Sequence, residues 1–289
     1  DKLQGMSEML QKMGITVNAY LPAADLQTIK RAPLAALNIV RRKKWALAME
    51  QRFGTPFLHV ADMQEWHGIE GISDLYRQIG KMLGCEDAVE RVLQEEYERV
   101  AARYQELRAE FAKYKFCLIA HGIAYLPDAL RVYQQDYGLP IEKICIIMNP
   151  SYQAETGLDD AMMQRFKDRI ELAKAEYGCE AQVLLEPSED ALREAAQSCD
   201  FVICNGHPRY ASLNVPVLYN LFDRSVWNYQ GFVDIMEEVW QMLQRPQRIG
   251  SSLLLSKLAY DPVFYPMREA DKDSKASREL YSRVWRQRK

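Results

Sequence analysis

The 289-residue chain lacks most of the short signatures that would assign a reaction. It has no G-x-G-x-x-G and no G-x-x-x-x-G-K-[ST], so neither a dinucleotide nor a P-loop fingerprint is present. No apolar run approaches the roughly 18 residues of a membrane helix, and no signal-peptide pattern opens the chain. The net charge of −3 gives no general argument for nucleic acid or an anionic membrane. Among the six cysteines (85, 117, 145, 179, 199 and 204) there is no Cys-x-x-Cys spacing, which excludes the common zinc arrangements. Only four histidines occur, His59, His67, His121 and His207. There is no initiator Met, and the chain is expected to be a piece whose own N-terminus is missing.

What is present is a substantial core-forming composition, 48% hydrophobic. Cys117, Cys145 and Cys204 fall in apolar, strand-like runs. They read as free buried thiols of a reducing compartment, and the protein is expected to be cytoplasmic. Residues 268–289 carry eight Lys/Arg against four Asp/Glu and read as a solvated tail or a packed helix.

Strand and helix patterns alternate along the chain, the mark of an open parallel sheet. The spacing predicts strands over 15–21, 37–40 and 56–60, and helices over 25–32, 44–53 and 73–83. Joints such as Arg52-Phe53-Gly54-Thr55-Pro56 read as helix C-caps that feed strands. Residues 86–115 contain no Gly or Pro and repeat apolar positions at helical spacing. A helix of that length spans roughly 40 Å and is expected to connect or brace two bodies. A second alternating unit follows, with strands over 116–120, 143–148, 180–185, 201–204 and 217–221. Its helices are expected over 126–137, 159–177, 188–198 and 232–243. The expected organisation is therefore α/β: two Rossmann-like parallel-sheet domains, 1–85 (incomplete at its N-terminus) and 116–245, joined by a connecting helix at 86–115, with a C-terminal extension at 246–289.

The most informative stretch is Cys199-Asp200-Phe201-Val202-Ile203-Cys204-Asn205-Gly206-His207-Pro208. An apolar run breaks abruptly into polar residues. Parallel strands buried on both faces are continuously apolar, and ligands of such sheets sit beyond the strands' carboxyl ends. The polar residues at these ends are thus the candidates for function. His67, His121 and His207 each follow a predicted strand. They are expected to border one cleft, with Arg42, Asn205 and Asn220 on its walls; ordinary loop histidines satisfied by their neighbours are the plain alternative. Gly122 and Gly206 allow either a close backbone approach to a ligand or a tight turn.

Several segments, in order, resemble the nitrogenase component 1 family. They are Gly14-Ile15-Thr16-Val17-Asn18-Ala19, Arg31-Ala32-Pro33, Leu37-Asn38-Ile39-Val40, Phe53-Gly54-Thr55-Pro56-Phe57 and Gly68-Ile69-Glu70-Gly71-Ile72-Ser73. Asp200-Phe201-Val202-Ile203 with Asn205, then Val215-Pro216-Val217, Phe222-Asp223-Arg224 and Tyr229-Gln230-Gly231-Phe232 complete the set. The family comprises nitrogenase cofactor-bearing subunits, their assembly scaffolds, and dark-type protochlorophyllide, chlorophyllide and nickel-tetrapyrrole reductases. The resemblance implies the second and third of three Rossmann-like domains. The first domain, which supplies cysteines for an iron–sulfur cluster and docks an ATP-dependent iron–sulfur reductase, has no counterpart here. It further implies a homologous subunit as partner. No cofactor is expected on this stretch alone; an iron–sulfur cluster and a metallocofactor or tetrapyrrole belong to the full assembly.

The departures from the family pattern narrow the reading. In the nitrogenase catalytic subunit a cysteine just after the Leu37–Val40 strand binds the molybdenum–iron cofactor, and that position falls at about Arg42. A cofactor-binding histidine would fall near Asn220. A guanidinium stays protonated and cannot ligate a metal, so nitrogen fixation is not implied. The Arg41-Arg42-Lys43-Lys44 quartet suits an anionic ligand such as a carboxylate-bearing tetrapyrrole; a solvated helix N-terminus is the plain alternative. The resulting expectation is an oxidoreductase subunit that holds a substrate or metallocofactor in an interdomain cleft. A non-catalytic cofactor scaffold and a metal-chelate binding module are the alternatives. Catalytic residues and metal ligands are not assigned.

Overall fold

The computed structural model describes residues 4–21, 25–60, 65–121, 126–147, 160–204, 210, 213, 215–219 and 226–244. The chain divides into two compact units. The first takes Asp1–Lys113, Tyr125–Leu139 and Leu221–Leu243; the second takes Tyr114–Ala124, Pro140–Asn220 and Gln244–Lys289. Division by packing thus departs from division by sequence order. Segments 125–139 and 221–243 fall within the stretch expected to form the second domain, yet they pack with the first unit. Their apolar faces, among them Leu126, Leu130, Phe232 and Met236, are buried there.

In the first unit, α1 (Gln4–Lys12) buries Met6, Met9 and Leu10 and ends near Gly14, which sits at φ +77°. Residues 15–20 were expected to form a strand and are described without regular secondary structure. α2 (Leu26–Arg31) is capped by Asp25, whose Oδ1 accepts the Thr28 N–H at 2.7 Å. A 3₁₀ turn at Ala32–Leu34 follows, with Pro33 in its first turn. β1 (Asn38–Val40) and β2 (Phe57–His59) pair in parallel, Asn38 opposite Phe57. Between them runs α3 (Lys43–Phe53), closed by Gly54 in the left-handed region.

α4 (Gly68–Leu83) and α5 (Glu86–Phe111) form an antiparallel-type pair joined through Gly84, at φ +67°. The long helix is unbroken, as its sequence dictates, but it lies wholly within the first unit. Val89, Val92, Leu93, Val100, Tyr104, Leu107 and Phe111 make its buried stripe. α6 (Leu126–Leu130) continues directly into a π-helical turn at Arg131–Asp136. α9 (Tyr229–Gln244) completes the unit. Tyr76 anchors it by donating its buried hydroxyl to the Trp227 carbonyl at 2.6 Å.

The second unit is a five-stranded, fully parallel sheet. Its strands are β3 (Phe116–His121), β4 (Ile141–Ile147), β5 (Gln182–Leu185), β6 (Phe201–Cys204) and β7 (Val217–Tyr219). Their spatial order is β5-β4-β3-β6-β7. β3 sits in the middle, and the chain winds outward first to one side and then to the other. That is the doubly wound order, with a switch point between β3 and β6. α7 (Asp160–Glu176) and α8 (Glu189–Gln197) are the described crossover helices. Ser188 caps α8, accepting the Ala191 N–H at 3.2 Å. α8 lays Leu192, Ala195 and Ala196 over a core that includes Cys117, Ile119, Cys145, Val202 and Cys204. The central strands are near-continuously buried, which is why their sequences read as unbroken apolar runs.

Candidate functional site

The carboxyl edge of the five-stranded sheet is where the topology directs a ligand. His121 is the last residue of β3, in register with Ile147 of β4. Cys204 closes β6, in register with Tyr219 of β7. β3, β6 and β7 are consecutive neighbours, so the chain positions that follow them leave from adjacent strand ends. Those positions carry Gly122, Asn205, Gly206, His207 and Asn220, all outside the described residues.

In the first unit the corresponding edge lies beyond β1 and β2. Arg42 occupies the N-cap position of α3 with φ −130° and makes no capping bond through its side chain. It is exposed, as are Arg41, Lys43 and Lys44, and none of the four has a carboxylate partner among the described residues. Four cations at a helix N-terminus oppose the helix dipole. The local fold therefore gains nothing from them, and an anion placed there would.

His67 occupies the N-cap position of α4, at the end of the connection that follows β2. Its ring points into the unit and is 1% exposed. It lies near-parallel to Tyr137, with centroids 5.9 Å apart, and edge-on to Phe232 at 5.6 Å. Nε2 is 3.0 Å from the Tyr137 hydroxyl. Burial, reinforced by the Arg131 charge, pushes its pKa down to about 3, so the ring is neutral at neutral pH. The His67 ring is enclosed, while Arg42 is open to solvent.

The enclosure rests on residues that periodicity did not single out. Arg131 pairs with Asp136, Nη1 to Oδ2 at 2.9 Å, with side chains only 11% and 6% exposed. Arg131 Nη2 also donates to the carbonyls of Glu65, at 3.0 Å, and His67, at 3.2 Å. The other Asp136 oxygen accepts the Glu70 N–H at 3.3 Å, in the first turn of α4. A carboxylate at a helix N-terminus is favoured by the dipole. Burial nevertheless pushes Asp136 up to about 7, while Arg131, the Glu70 N–H and Arg108 pull it back. Two glycines make room. Gly68 lies at φ +84°, and a Cβ there would collide with the Asp136 carboxyl; a Cβ on Gly71 would come 2.6 Å from the Glu65 carbonyl. The Gly68-x-x-Gly71 spacing at a helix start was the available signal: two close approaches on one helical face.

The sequence profile described as nitrogenase component 1 type oxidoreductase matches residues 1–244. The chain belongs to that family. Solved structures described as "Nitrogenase Cp1 at pH 5" and "Nitrogenase Cp1 at pH 6.5" have the same fold, at 15% and 16% identity and TM-scores of 0.56 and 0.54. Each match covers 85% of this chain; the chain spans 54% and 56% of those structures' lengths. No curated protein matches the sequence.

As a nitrogenase component 1-type chain, it invites a search for cluster or metal ligands. Among the described residues no group of three or more His, Cys, Asp or Glu side chains is placed to hold a metal ion. All six cysteines are free, and all but Cys85 are buried. Cys117 and Cys145 lie on adjacent strands with sulfurs 3.9 Å apart, sealed in the core. Burial pushes Cys204 up to about 12 and raises Cys179 and Cys199. Cys179, Cys199 and Cys204 are thus held as protonated packing thiols, whereas metal binding requires thiolates. The described cysteines do not fit an iron–sulfur cluster. No helix among the described residues is long and apolar enough to cross a membrane.

Proposed function

We propose that this family member is the ligand-holding portion of an oxidoreductase subunit, with a substrate or metallocofactor over the carboxyl edge of the β5-β4-β3-β6-β7 sheet. The observation that carries the reading is the doubly wound order, in which the carboxyl ends of β3, β6 and β7 are neighbours. Gly122, Asn205, Gly206, His207 and Asn220 follow those ends, and His121 terminates β3. An imidazole has the chemistry to act as acid, base or ligand near neutral pH. Arg42 stands in the first unit, and its guanidinium cannot replace a metal-ligating thiolate, which argues against nitrogen fixation. A reductive reaction of this class would need electrons from a cluster held outside these residues, which an ATP-dependent iron–sulfur reductase would supply, and a homologous subunit would complete the complex. Family membership supports the reaction class.

The test is anaerobic purification of the full-length protein with its co-expressed neighbours, followed by metal analysis, visible absorption and ATP-dependent electron uptake from a reduced iron–sulfur donor protein. The reading expects a bound chromophore or metal that His207→Ala depletes without moving the melting temperature. Full retention of ligand in His207→Ala and Asn220→Ala together overturns the assigned edge. A protein that carries cofactor but never accepts electrons is a scaffold instead.

A further inference from the structure

We infer that Arg131 is the positioning residue for the segment leading from β2 into α4, acting through its fork of donors rather than through its charge. The segment follows the carboxyl end of β2 in the chain and leads into α4. Here Glu65 to Glu70 is held from behind by a stretch more than 60 residues later in sequence. One guanidinium reaches three acceptors: the Asp136 carboxyl through Nη1, and the Glu65 and His67 carbonyls through Nη2. Asp136 in turn receives the Glu70 N–H. The π-helical turn at Arg131–Asp136 brings the two side chains to one point, and Gly68 and Gly71 let the backbone close onto it. Wide or offset turns of this kind re-aim side chains that a regular helix would direct elsewhere.

A planar fork and a point charge differ in this geometry. Lysine at 131 can keep the Asp136 pair but cannot also serve two carbonyls at fixed angles. The inference concerns the first unit alone and its test needs no ligand, so it and the reading proposed for the five-stranded sheet can fail separately.

Amide hydrogen exchange, read by mass spectrometry on peptides covering 65–73 with α5 peptides as the internal control, decides the matter. Arg131→Lys is expected to leave the urea midpoint near wild type while exchange at 65–70 speeds up about tenfold. Asp136→Asn keeps both carbonyl bonds and an acceptor for Glu70, and is expected to loosen the segment less than Arg131→Lys does. Wild-type exchange in Arg131→Lys overturns the inference. So does an equal acceleration in α5, which would make Arg131 a general stability residue. If Arg131→Lys does not fold, Asp136→Asn decides alone: strong local loosening there shows that the charge pair, not the fork, holds the segment.

Discussion

Arg103 of α5 and Glu237 of α9 face each other with two parallel hydrogen bonds, Nε to Oε1 and Nη2 to Oε2, the second at 2.7 Å. Arg103 also pairs with Glu106 at 2.6 Å and lies over the Trp240 ring at 5.6 Å from its centroid. This bidentate contact ties two segments 134 residues apart. Its side chains are 36% and 30% exposed, so solvent screens it. Hydrogen bonding to Arg103 holds the Glu237 carboxyl below the usual range. Its contribution is thus present above the unfolded carboxyl pKa and lost as pH falls through the lower folded value. Glu237→Gln should cost about 0.5–1 kcal/mol at neutral pH and nothing measurable in strong acid. Urea denaturation at two pH values checks this.

His67 and Asp136 oppose each other in pH dependence. His67, lowered from 6.5 to about 3, contributes stability that is present above pH 6.5 and lost as pH falls toward 3. Asp136, raised from 3.8 to about 7, contributes stability that is present below pH 4 and lost as pH rises through 7. Between about pH 4 and 6.5 the two slopes largely cancel, each worth about 3 kcal/mol over that window. His67→Gln should therefore become less stable than wild type as pH rises through that range, with Asp136→Asn showing the reverse. Unfolding curves from pH 4.5 to 7.5 that run parallel for all three proteins would refute the opposition.

Gly68→Ala should be severe. It adds left-handed strain and drives a methyl into the Asp136 carboxyl, so a loss of about 3 kcal/mol or more is expected. Gly54→Ala is the control, since Gly54 is also left-handed, at φ +73°, but has nothing within 4 Å of a built Cβ. It should cost only about 1–2 kcal/mol. Equal losses for the two would mean that the Asp136 contact carries no weight.

Leu192→Ala on α8 should destabilise the second unit by about 2–4 kcal/mol, because Leu192 is 1% exposed within the cysteine-rich core. Trp45→Ala on α3 should change stability by less than about 0.5 kcal/mol despite the larger side chain, since Trp45 is 69% exposed. Thermal scans of the two variants give the ratio.

The elements most legible in the sequence were those governed by local rules. The absence of Gly and Pro after Glu86 gave one long helix, observed over Glu86–Phe111. Gly54 closed its helix where the cap was read. The apolar runs of the second unit gave all five strands. Residues 15–21 show the limit. Their β-branched pattern suits a strand, yet strand propensity is realised only against a neighbour to pair with, and residues 15–20 carry no ladder. Helix 126–137 was placed correctly, but its change to π geometry at Arg131 had no local signature.

The candidate site was legible only as strand ends. That residues 121–122, 205–207 and 220 follow parallel strands is a matter of order along the chain, and the sequence alone established it, together with the reaction family that its motifs resemble. Which strands are neighbours, and therefore that the ends of β3, β6 and β7 lie side by side, depended on long-range pairing. So did the partner of His67. Its contacts to Tyr137 and Phe232 cross 70 residues and more, where no period or capping rule reaches. Local propensity acts through neighbours three or four residues away; burial, which made His67 neutral and Asp136 costly to ionise, is a property of the assembled core, and only the tertiary structure decided it.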